Sequence, residues 1–194
     1  MSKWFIRPCK VDIGNMCRKM GINVPLALAL QSKGLNTPKK VKDYFNTENY
    51  NFGDITQLIG VKRSFEIIEK AINKRKKIFI YGDYDVDGVT STVILYKSLK
   101  AIGADVFYYI PNRVKDGYGL NVNAIERLIE KGMELLITCD NGIAAIEEIK
   151  YAKEKGIDVV IYDHHEPVIK DGKEVLPEAD SVTDAKIENC GYDF

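Results

Sequence analysis

Four short apolar runs, separated by stretches of helical length, limit what this 194-residue chain can fold into. Residues 77–81, 105–110, 134–139 and 158–162 are dominated by Ile, Val, Leu, Phe and Tyr. The intervening segments 89–102, 122–131 and 143–155 read as helices, and Gly103, Gly132 and Gly156 stand where a helix C-terminus favours glycine. Strands that run parallel cannot be joined by a tight turn and need such a crossover. Near-continuous apolar runs, in place of alternating ones, belong to strands covered on both sides. The expected fold is α/β, a parallel sheet with helices on both faces.

Ahead of this alternation the texture is helical. Residues 24–33 form an apolar helix ended by Gly34, and Thr37-Pro38 opens another with proline in its first turn. Val61, Phe65, Ile68 and Ile72 make a helical stripe. The pattern divides the chain into a small helical N-terminal segment, 1–76, packed on a larger α/β domain, 77–194. A short further strand is expected near 180–182, and 170–194 is otherwise polar and irregular.

Three of the apolar runs end in groups that bind cations. The first runs into Asp83-Tyr84-Asp85-Val86-Asp87-Gly88, the third into Asp140-Asn141-Gly142, and the fourth into Asp163-His164-His165, which holds both histidines of the chain. In an open parallel sheet, ligands bind at the carboxyl ends of the strands. Crowded carboxylates repel one another unless a cation neutralises them. The Asp-x-Asp-x-Asp-Gly spacing resembles the opening of a calcium hand, but the twelfth position, which needs a bidentate Glu, is Ile94. A solvated acidic turn at 83–88 and a helix-capping role for Asp140 remain as plainer readings of those two clusters taken singly. Together, carboxylate and imidazole donors without thiolates suit Mn²⁺ or Mg²⁺ better than structural zinc.

Composition narrows the partners. No apolar stretch approaches the ~18 residues that a membrane span requires, and residues 1–8 are too polar for a secretory leader. Cys9, Cys17, Cys139 and Cys190 show no paired zinc spacing, which fits a cytoplasmic chain with reduced thiols. The formal charge of zero conceals a split. Residues 1–78 carry 16 Lys/Arg against 6 Asp/Glu, and residues 79–194 carry 12 against 22. The basic part suits a polyanion and the acidic part divalent cations, although residues 74–77 read more simply as the solvated C-terminal end of a helix.

The segments FIYGDYDVDG (79–88), TCDNGI (138–143) and YDHHEP (162–167) resemble, in order, the first three motifs of the DHH phosphoesterase superfamily. IPNRVKDGYGLN (110–121) and SKGLNTPKKVKDYFN (32–46) bring the likeness closest to its RecJ-like branch of bacterial single-stranded-DNA-specific exonucleases. The resemblance spans roughly residues 25 to 194. It implies metal-dependent phosphodiester hydrolysis, 5′ to 3′ on single-stranded DNA, with Mn²⁺ or Mg²⁺ in a two-metal site. By the same resemblance Asp85, Asp87, Asp140 and His164 are metal ligands. Asp83 is a ligand or partner of the base, Asp163 orients His164, and His165 faces the scissile phosphate. In the loop after the second strand, Arg113 is expected to hold a substrate phosphate and Tyr118 to stack on a base, with a surface turn whose Tyr118 ring packs on the domain as the plainer reading. Single-stranded DNA is the expected partner, with room for other repair proteins.

The likeness has gaps. The superfamily's fourth motif, with a further metal-binding Asp, has no match before residue 194, and residues 181–186 read Ser-Val-Thr-Asp-Ala-Lys where Asn-Pro-Lys is expected. The family's second, substrate-binding domain does not fit within 194 residues. These gaps imply an N-terminal piece of a longer enzyme or a shortened homologue, weak or inactive alone. Two other functions fit the same residues. One is a DHH phosphodiesterase for short oligonucleotides or cyclic dinucleotides; the other is a non-catalytic DHH scaffold that binds partner proteins.

Overall fold

The computed structural model describes residues 12–46, 53–114, 116, 117 and 119–192. By contacts the chain forms two compact units, Met1–Phe52 and Gly53–Phe194. The first holds α1 (Ile13–Met20), α2 (Val24–Ser32) and α3 (Pro38–Phe45). Each starts at a side-chain cap: Asp12, Asn23 and Thr37 accept the N–H of Asn15, Leu26 and Lys40. Met16, Ala27, Leu30 and Val41 form its own small core.

The second unit begins with a short 3₁₀ turn at Ile55–Gln57 and α4 (Val61–Asn73). Then follow β1 (Ile78–Tyr81), α5 (Val86–Ala101), β2 (Val106–Tyr109), α6 (Val122–Glu130), β3 (Leu135–Cys139), α7 (Ile146–Glu154) and β4 (Asp158–Tyr162). The chain closes with a hairpin, β5 (Val168–Lys170) and β6 (Lys173–Val175), and an edge strand, β7 (Ser181–Thr183). The boundary expected at 76/77 therefore differs from the division by contacts. Ile67 and Ala71 of α4 pack on the sheet, so α4 belongs to the sheet's unit.

The main sheet is parallel throughout, in the order β2-β1-β3-β4-β7. Its sides alternate with the strand period of two. Phe79, Tyr81, Leu136, Val159 and Ile161 face α6 and α7, which contribute Ile125, Leu128, Ile149 and Ala152. Ile78, Ile80, Leu135, Ile137 and Val160 face the opposite side with Ile67, Ala71 and Leu99. The α/β sandwich expected from the apolar runs is present. The chain moves outward from β1 to β2 in one direction and from β1 through β3 in the other. The carboxyl ends of β1 and β3 thus flank the point where strand order reverses, the position at which such sheets bind ligands.

Two helices start away from their expected positions. The α5 helix begins at Val86, three residues early, because Asp85 caps it by accepting the Gly88 N–H at 2.9 Å. The α7 helix begins at Ile146, three residues late, and its first residue is preceded by Ala145, which makes no side-chain cap. Asp140 is therefore not that helix's cap. Among the described residues no helix is long and apolar enough to cross a membrane.

Candidate metal centre

The first carboxylates reach the sheet edge because two glycines let β1 and α5 touch. A Cβ on Gly82 would lie 2.0 Å from Thr92 Oγ1, and one on Gly88 would lie 2.5 Å from the Asp83 backbone nitrogen. With hydrogen in both places, the turn after β1 folds against the first turn of α5. Asp83 is buried there, 1% exposed, and accepts the Tyr84 N–H at 2.7 Å. Asp85 sits beside it at the helix cap. The Gly88 N–H holds the Asp85 carboxyl below its usual range.

Asp140, at the end of β3, is the centre of the arrangement. Its backbone is left-handed, with φ 62°, a conformation that Asp tolerates better than most residues. The side chain is thereby turned across the edge. Oδ1 lies 2.8 Å from His164 Nε2. Oδ2 is buried with no hydrogen-bond partner. Burial, and then the neighbouring Asp85 carboxylate, push the Asp140 carboxyl up against the pull of His164.

Ligand atoms of Asp83, Asp85 and Asp140 lie within 4.8 Å of one another, and so do those of Asp140, His164 and His165. Asp140 belongs to both groups. This donor set, all oxygen and imidazole nitrogen, fits hard divalent ions, and an orphaned carboxylate oxygen between two ligand groups is where such an ion satisfies a buried charge.

Asp163 organises the histidines in a way that differs from expectation. Its side chain is 1% exposed. Oδ1 accepts the backbone N–H groups of His164 at 2.7 Å and His165 at 3.2 Å and lies 2.7 Å from His165 Nδ1. Oδ2 accepts the Ile143 N–H at 2.9 Å. Asp163 thus orients His165, and His164 is oriented by Asp140 on the neighbouring strand. The cause is local: a carboxylate folded back under its own next two amides reaches the ring two residues on. Burial disfavours a charged His165, but Asp163 and Asp140 together raise its pKa above the ordinary value.

The remaining expected residues are placed less centrally. Asp87 is exposed in the first turn of α5 and lies outside both ligand groups, although it lines the adjoining cleft. The Arg113 guanidinium lies 5.3 Å from the Tyr84 ring centroid, beside the Asp83–Asp85 turn. Tyr118 falls outside the described residues. Two hollows flank Asp163. One of about 570 Å³ is lined by Asp87, Ser91, Tyr162 and His164, and one of about 520 Å³ by Asn141, Gly142, Glu148 and His165.

A residue that sequence reasoning passed over is Asp184. It follows directly after β7, which pairs with β4, is 1% exposed, and has one buried oxygen without a partner. Burial first, then the charge of Asp163, push its carboxyl up. The strand-end pattern that singled out the other carboxylates applies to it equally. It escaped because β7 is only three residues long and two of them are polar.

The DHH family's N-terminal domain matches residues 77–191. The chain is 39% identical over 193 residues to the single-stranded-DNA-specific exonuclease RecJ of Bacillus subtilis, covering 99% of this chain and 24% of that protein. It is 40% identical over 137 residues to RecJ of Haemophilus influenzae, covering 70% of this chain and 23% of that protein. The chain thus spans about a quarter of the length of these relatives. A crystal structure of exonuclease RecJ bound to manganese superposes with a TM-score of 0.61 at 33% identity, over 68% of this chain and 32% of the other. RecJ of Thermus thermophilus in complex with Mn²⁺ gives 0.59 at 26% identity, over 91% and 24%.

Proposed function

The chain belongs to the DHH family, and from that premise we propose that it carries the metal-binding part of a site that hydrolyses phosphodiesters in single-stranded DNA from the 5′ end. The observation that carries this reading is Asp140, one carboxylate shared by two ligand groups at the sheet's switch point. Asp83, Asp85, Asp140, His164 and His165 are the residues that would hold two divalent ions, Mn²⁺ or Mg²⁺; Asp87 stands outside both groups. Such ions lower the pKa of a water and stabilise the leaving oxygen of an in-line displacement.

The chain's own residues do the rest. Asp163 fixes the ring of His165 through Nδ1, so Nε2 would be the atom that meets an ion. Asp140 does the same positioning work for His164. Arg113, 5.3 Å from the Tyr84 ring centroid beside the turn, would contact a phosphate through the paired N–H donors of its guanidinium. The His164 and His165 side chains are 61% and 42% exposed, so little excludes water and hydrolysis by this chain should be slow.

The test is hydrolysis of 5′-phosphorylated single-stranded DNA with Mn²⁺ by the 194-residue chain and its Asp140→Asn variant. Mn²⁺-dependent release of mononucleotides that disappears in the variant supports the reading. Equal rates in the two chains, or preference for a cyclic dinucleotide, overturn it.

A further inference from the structure

The loop from Ile110 to Asn121 carries Arg113 beside the Asp83–Asp85 turn, and among its described residues Asp116 makes several of the hydrogen bonds. Asp116 Oδ2 accepts the Tyr109 hydroxyl and the Asn112 N–H, both at 2.8 Å. Its Oδ1 accepts an Arg127 Nη2–H at 2.9 Å. The Asp116 N–H donates to Asn112 O at 2.8 Å, and so ties the chain on either side of Arg113 and Val114. The Val114 N–H donates to Asn112 Oδ1 at 3.0 Å, and Asn121 Nδ2 donates to Asp116 O at 3.3 Å. The Asp116 side chain is only 12% exposed.

Tyr109 and Arg127 tie Asp116 to β2 and α6, and the Arg113 guanidinium lies 5.3 Å from the Tyr84 ring centroid. A carboxylate three residues from a phosphate-binding guanidinium would ordinarily repel the ligand. Here Arg127 pairs with it and also bonds the Tyr109 hydroxyl at 2.9 Å. The pair therefore presents little net charge to an approaching phosphate and keeps the turn closed.

We infer that Asp116, neutralised by Arg127, is a positioning residue that holds Arg113 over the Asp83–Asp85 turn for a phosphate of the substrate. The inference rests on Arg113 being a phosphate contact. A long side chain such as Arg loses rotamer freedom when it binds, and a turn that is already closed reduces what has to be ordered at that moment.

The experiment titrates the 194-residue chain, with Mn²⁺, against fluorescent oligothymidylate bearing either a 5′-phosphate or a 5′-hydroxyl. Arg113→Ala should weaken binding of the phosphorylated strand about tenfold, as expected for one charge-assisted contact. Asp116→Ala should weaken it by about fivefold or more, and the double variant should be no weaker than Arg113→Ala within about twofold, because both changes remove one interaction. Mn²⁺ affinity should stay the same in all three. If Arg113→Ala weakens binding but Asp116→Ala does not, or if the two losses add, the positioning role is wrong. If the parent chain shows no 5′-phosphate dependence, or Arg113→Ala has no effect, the reading of Arg113 fails instead and this one falls with it. Arg127→Gln, which leaves the turn's backbone contacts intact, serves if Asp116→Ala does not fold. It should weaken the phosphorylated strand more than the hydroxyl strand, and equal binding to the parent overturns the inference.

Discussion

Asp163→Asn isolates what one carboxylate contributes to this edge. The change conserves volume, so no cavity opens. It replaces one of two acceptor oxygens with a donor. The best amide orientation keeps oxygen at Oδ1, where the His164 N–H, His165 N–H and His165 Nδ1 converge. The new NH₂ then faces the Ile143 N–H, whose acceptor stood at 2.9 Å. Two donors in a buried contact leave one N–H unsatisfied, at a cost of about 1–3 kcal/mol. For a chain of this size that lowers Tm by roughly 2–12 °C. The negative charge that raises the His165 pKa also disappears, so that pKa should move down toward the ordinary ~6.5. Urea unfolding of the metal-free chain at pH 7.5, with the His165 ring followed by proton NMR, reads both effects. A variant within about 0.5 kcal/mol of the parent, with an unmoved His165 titration, would refute the assignment of Asp163 to His165.

Other consequences follow from the same contacts. Gly88→Ala forces a Cβ to within 2.5 Å of the Asp83 backbone, so the variant should lose at least about 1–3 kcal/mol, measured by denaturant unfolding. In the metal-free chain, the raised His165 pKa means that its contribution is complete below about pH 6.5 and is lost as pH rises through the folded value, so Tm should fall across that range in the parent and stay flatter in His165→Gln. The lowered Asp116 carboxyl, held first by the Asn112 N–H, contributes above about pH 4 and loses its contribution as pH falls through its folded value. Asp116→Asn should therefore flatten the acid limb of the stability curve.

What the sequence disclosed was set by where the chain is strongly apolar. The runs at β1, β3 and β4 are buried on both faces, so composition alone located them and their carboxyl-end residues. The β7 strand pairs with β4 through only Ser181, Val182 and Thr183, so it carried too weak a signal to bring Asp184 forward. The β5–β6 hairpin was missed although Asp171-Gly172, both left-handed, is a strong two-residue turn signal between Lys170 and Lys173. The start of α5 moved because a capping interaction, not apolar periodicity, set it. The pairing of each histidine with its carboxylate depends on the left-handed backbone at Asp140 and on the neighbouring strand, neither of which periodicity encodes.

Whether Asp140 joins two ligand groups into one centre is read by calorimetric titration of Mn²⁺ into the 194-residue chain and into Asp140→Asn. The parent should bind Mn²⁺ and gain about 2.7 kcal/mol of stability at a hundredfold excess over Kd. The variant loses a shared ligand, so its affinity should drop by at least the ten- to hundredfold that losing even an outer partner costs. Equal Mn²⁺ affinity in the two chains would show that Asp140 is not a shared ligand.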